Sequence, residues 1–101
     1  MRLKKNVKIS GISSETLLGM TVANDIYKEQ NMKLVITSVR DGKHKVGSKH
    51  YCGLAFDIRD RDFRHLPVVH SHIVEELRDR LGSEFDVVPE DTHIHIEFDP
   101  K

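Results

Sequence analysis

Residues 48–59 read SKHYCGLAFDIR, and the alternation in the second half of this stretch decides the fold. Side chains of a strand point to opposite faces in turn, so Leu54, Phe56 and Ile58 share one face while Gly53, Ala55 and Asp57 share the other. The first face reads as core. The second is a strip of minimal side chains ending in a carboxylate, which would leave room above the sheet for a metal, a water and part of a substrate. The stretch HIHIEF at 93–98 repeats the pattern, with Ile94, Ile96 and Phe98 inward and His93, His95 and Glu97 on the reverse face.

Working outward, residues 13–30 open with hydroxyls suited to a helix cap, and Leu18, Val22 and Ile26 recur at a spacing of four, which predicts an amphipathic helix. The β-branched run MKLVITSVR predicts a strand from about Lys33 to Val39, closed by the turn signal Asp41-Gly42. Gly42 to Tyr51 reads as a loop, and the charged segment from Asp60 to Pro67 as irregular. A second helix is expected near His70 to Leu81, with Ile73, Leu77 and Leu81 on one face and Gly82 as its stop. The strand EFDVV and the turn Pro89-Glu90-Asp91 lead into the last strand. This order predicts an α+β domain with a small, mostly antiparallel sheet and helices packed on one face, spanning 1–101 as a single unit.

The chain has 101 residues, enough for one modest core. Sixteen basic and sixteen acidic side chains give a formal net charge of zero, which disfavours a general nucleic-acid or membrane-surface role. Cys52 stands alone, so neither an internal disulfide nor a thiolate zinc finger is expected. The basic amino terminus is followed by no apolar run of secretory or transmembrane length, and the expected location is the cytoplasm.

If the two alternating strands share a sheet, Asp57 and a histidine of the last strand converge, and His50 on the entering loop completes a facial set. Two imidazoles and a carboxylate leave a coordination position open, as catalytic zinc requires. A histidine on a strand face is by itself more often a plain polar surface residue. The combination of His50, Asp57 and the HIH pair carries the metal reading.

Ser48, His50, Gly53, Ala55 and Asp57 fill the pattern S-x-H-x-x-G-x-A-x-D. This resembles the signature of the zinc D-Ala-D-Ala peptidases, the phage peptidoglycan endopeptidases and the related hedgehog signalling domain. DGKHKVGSKHYCGLAFDI and HIHIEF are similar to the hedgehog segments, and the likeness covers roughly residues 33–99. The resemblance implies a hedgehog/DD-peptidase-like fold holding one zinc ion per chain. It also implies hydrolysis of peptide bonds in peptidoglycan stem peptides by metal-activated water, and action on the cell wall after release at phage lysis.

The same resemblance makes His50 and Asp57 the first two zinc ligands and His95 the third, with His93 as transition-state stabiliser or, alternatively, as the ligand itself. An acidic base three residues before the ligand histidine is common in the peptidases. Counted from His95 that position is Thr92, and from His93 it is Glu90, so Glu90 is the expected base. Arg40 resembles the substrate-binding arginine of these peptidases, and Ser48 binds substrate or caps the loop. His44 is a candidate to orient a ligand, and the run RDRDFRH either is solvated or lines a cleft. His70 and His72 read as surface residues. Thr92 keeps open a second reading, a catalytically weak or inactive zinc-binding module of hedgehog type.

Overall fold

The computed structural model describes residues 1–41 and 52–100, and of Arg40, Asp41, Cys52 and Gly53 the backbone alone. Helix α1 spans Ser14–Glu29 and helix α2 Pro67–Leu81; the strands are β1 (Arg2–Leu3), β2 (Val35–Asp41), β3 (Cys52–Arg59), β4 (Phe85–Pro89) and β5 (His93–Phe98). They form one five-stranded sheet in the order β1-β2-β3-β5-β4. Three pairings are antiparallel, and β1 adds a parallel edge against β2. The fold is therefore α+β with a mixed sheet. The short edge strand RL has no alternation long enough to read from sequence.

Helix α1 starts where its cap dictates, with the Ser13 hydroxyl accepting the Thr16 amide at 3.0 Å, a contact worth about 1 kcal/mol. Its buried side is Thr16, Gly19, Met20, Ala23, Ile26 and Tyr27. Leu18 is 61% exposed, which corrects the expected face. A spacing of four overshoots the 3.6-residue turn, so Leu18 and Ile26 lie roughly 80° apart around the axis. Helix α2 begins three residues before the expected His70, because proline in the first helical turn gives up no intrahelical hydrogen bond. It ends at Gly82, whose φ of +84° a side chain would disfavour.

Both helices pack on the sheet face that carries Ile36, Phe56, Ile58, Val87, Ile94 and Ile96, against which Met20, Ile26, Tyr27, Ile73 and Leu77 are buried in one cluster. Each such side chain contributes on the order of 1.5–3 kcal/mol. Gly19 lies against the Phe85 and Phe56 rings of the sheet. A Cβ there would lie 3.0 Å from Phe85 Cε2. The order of strands leaves β3 and β5 neighbours in the sheet interior, and their reverse faces carry the polar residues.

Candidate metal centre

In the β3–β5 ladder Asp57 stands directly opposite His95, Arg59 opposite His93, and Ala55 opposite Glu97. The alternation of each strand thus becomes a shared polar face with the order Ala55, Asp57, Arg59 beside Glu97, His95, His93. On the other side of β3, an irregularity between Ile36 and Ser38 brings Ser38 opposite Asp57. The extra residue, Thr37, directs its hydroxyl to the Asp57 carbonyl at 3.4 Å.

This face is not a washed surface. Ala55 is fully buried and Asp57 is 3% exposed, so at these two positions the face is covered, where open room above the sheet was expected. A buried carboxylate is tolerable only with partners. Asp57 Oδ1 lies 2.8 Å from His95 Nδ1, and Asp57 Oδ2 lies 3.7 Å from His93 Nε2. His95 is also bracketed on its far side, with Nε2 at 3.2 Å from Glu97 Oε1. The hydrogen bond to Asp57 raises the proton affinity of the His95 imidazole; burial opposes this, and Glu97 adds to the rise.

His93 is turned by Thr92, whose hydroxyl meets Nδ1 at 3.1 Å. The Glu90 amide donates to the His93 carbonyl at 2.8 Å and closes the β4–β5 hairpin. Alternation beyond the Val88–His95 pair places Glu90 on the polar face beside His93, and its carboxylate is exposed. Asp57, His93, His95 and Glu90 therefore lie along one end of one sheet face. His50, Ser48 and His44 lie outside the described residues, as does the Arg40 side chain.

Sequence reasoning missed Asp60, which the turn after β3 buries completely. Its Oδ1 accepts Arg64 Nε at 2.9 Å, its Oδ2 has no hydrogen-bond partner, and His70 Nε2 stands 3.5 Å from that oxygen. His70 is half-buried against Phe63, with ring centroids 5.8 Å apart, rather than the surface residue expected. The signal was present as Asp60 and Arg64 four apart, but a charged run conceals which member turns inward.

Among the described residues, a tight carboxylate trio also occurs, and it shares Glu97 with the His95 contact. Ligand atoms of Asp86, Glu97 and Asp99 lie within 4.8 Å of one another. Three carboxylates suit a hard, oxygen-preferring cation better than zinc, and exposed acidic groups often adjoin without one. Asp57, His93 and His95 offer the nitrogen and oxygen donors that zinc takes, but among the described residues only the carboxylate trio brings three ligand atoms within 4.8 Å of one another. Compared with known proteins, the chain matches no protein-family model and no curated sequence.

Proposed function

We propose that the protein is a zinc metallopeptidase of the hedgehog/DD-peptidase type acting on peptidoglycan stem peptides. The observation that carries the reading is the buried Asp57 carboxylate held opposite His95, with His93 facing the same carboxylate. This pairing lies at the end of the S-x-H-x-x-G-x-A-x-D segment. Asp57, His95 and His50 would hold the ion, and zinc when bound supplies an activated water and a Lewis acid at neutral pH.

The chain's own groups divide the remaining work. Glu90, on the hairpin turn, takes the proton of the attacking water. His93, oriented by Thr92, stabilises the oxyanion with a hydrogen bond. The 2.8 Å approach of His95 to Asp57 favours His95 over His93 as the third ligand. Arg40 and Ser48 remain the proposed contacts to substrate, and release at phage lysis the proposed route to the wall.

The exposure of Glu90, together with a threonine in place of an acid at position 92, supports one second reading, a zinc-binding module that holds a partner without turning it over. Elemental analysis and peptidoglycan hydrolysis on the same samples separate the two. The peptidase reading expects one zinc per chain, lost in His50→Ala, and hydrolysis reduced about 10²–10⁴-fold in Glu90→Gln with zinc retained. Stoichiometric zinc with no hydrolysis selects the binding module. A folded wild type without zinc removes both.

A further inference from the structure

The peptide that leads into His93 is held from outside its own hairpin. Arg64 Nη2 donates to the Thr92 carbonyl at 3.1 Å, and that carbonyl belongs to the amide plane joining Thr92 to His93. On the far side, the His93 carbonyl accepts the Glu90 amide at 2.8 Å. Both amide planes flanking the imidazole are therefore tied, one of them by a residue 28 positions away along the chain. The Thr92 hydroxyl then meets Nδ1 of the ring at 3.1 Å. The other nitrogen, Nε2, faces Asp57 Oδ2 at 3.7 Å. A carboxylate draws the ring proton to the nitrogen it faces, so Nδ1 accepts from the hydroxyl and the N–H lies on the Asp57 side.

Arg64 is itself fixed. Its amide donates to the Asp60 carbonyl at 2.7 Å and its Nε to Asp60 Oδ1 at 2.9 Å, so one residue grips both its backbone and its side chain. Phe63, 1% exposed, plugs the same turn into the core against the rings of Tyr27 and His70. The Tyr27 hydroxyl donates to the Arg59 carbonyl at 2.7 Å, where β3 ends. The turn thus has other fasteners, yet it keeps a wholly buried carboxylate with one oxygen unbonded among the described residues, an arrangement that costs stability. The planar fork of Arg64 gives that carboxylate a use. Nε takes Asp60 while Nη2 stays aimed at Thr92, a division that a single ammonium or a neutral side chain does not make.

We propose that Arg64, aimed by the buried Asp60, is a positioning residue for His93. The guanidinium fixes the Thr92–His93 peptide, and the Thr92 hydroxyl then holds the imidazole in the tautomer that can donate from Nε2. Interrupting this chain lowers the rate of the chemical step and leaves the zinc ligands in place. The proposal rests on the peptidase reading for the role of His93, but the state of the ring is read without turnover.

The test uses the full-length protein with isotope-labelled histidine, with and without zinc, as wild type, Arg64→Lys, Thr92→Val and the double variant. Imidazole nitrogen shifts report the His93 tautomer, and hydrolysis of soluble peptidoglycan stem peptides gives kcat and KM. Arg64→Lys keeps a cation against Asp60, so thermal unfolding should stay near wild type, but it gives up the bond to the Thr92 carbonyl. Wild-type His93 is expected to carry its proton on Nε2, and each single variant to show a mixture of tautomers. Each should lower kcat about 10–100-fold with KM and zinc content unchanged. The double variant should be no worse than the more severe single one, because both break the same chain. A His93 tautomer unmoved by Arg64→Lys overturns the proposal, as does an additive double variant. A kcat that falls in Arg64→Lys only in step with lost folded protein also overturns it, and leaves Arg64 a fastener of the turn. Absence of zinc or of hydrolysis in the wild type, with the tautomer still dependent on Arg64, would instead remove the peptidase reading.

Discussion

Two aspartates three residues apart, Asp57 and Asp60, are both buried, at 3% and 0% exposure, yet they are neutralised in different ways. Asp57 meets the imidazoles of His95 and His93 across the β3–β5 ladder. Asp60, beyond the end of β3, meets the guanidinium of Arg64, and His70 lies nearby. A guanidinium stays charged at any pH a protein tolerates and ligates no metal, whereas an imidazole can shed its proton and become a ligand. The difference marks Asp60 as a fastener of the turn and Asp57 as a carboxylate whose partners can be shared with a cation.

The sharpest way to break that comparison is Asp57→Asn. It should lower zinc affinity by more than about a hundredfold, since even orienting partners of ligands are worth 10–100-fold, while the metal-free protein stays folded. Competition with a chromophoric chelator would measure it. Unchanged affinity would mean that the two aspartates do not differ in kind.

Asp60→Asn should do the reverse. Loss of the buried pair with Arg64 is expected to cost about 2 kcal/mol in chemical unfolding, less than for a pair buried at both ends because Arg64 is 41% exposed. Zinc affinity should hardly move. A large drop in zinc affinity at full stability would assign Asp60 to the site instead.

Arg64→Ala should cost about as much, on the order of 2 kcal/mol, because it leaves the wholly buried Asp60 carboxylate without its guanidinium. Its specific mark would be faster amide exchange through residues 90–93, because the Thr92 carbonyl loses its donor. No change in exchange there would show that the clamp does not hold the hairpin.

Much of this was legible in the chain because strand alternation is a local property. Phe56 and Ile58, and Ile94 and Ile96, read off their core face directly, and the α+β order followed from the periods of the segments, but the burial of Ala55 and Asp57 on the opposite face did not. The helix face of α1 was less legible, since regular spacing by four resembles a stripe yet drifts away from it, and Leu18 ended in solvent. The two-residue β1 lies below the length at which any period exists.

The sequence by itself determined which side chains of each strand travel together, because covalent geometry imposes the two-residue alternation without reference to anything distant. Only the tertiary structure decided that β3 and β5 are neighbours and that their register sets Asp57 against His95 rather than His93. The same holds for the burial of Asp60 and for the gathering of Lys4 with three arginines from after residue 58. Pairing, register and burial depend on contacts between segments tens of residues apart, and no local period encodes them.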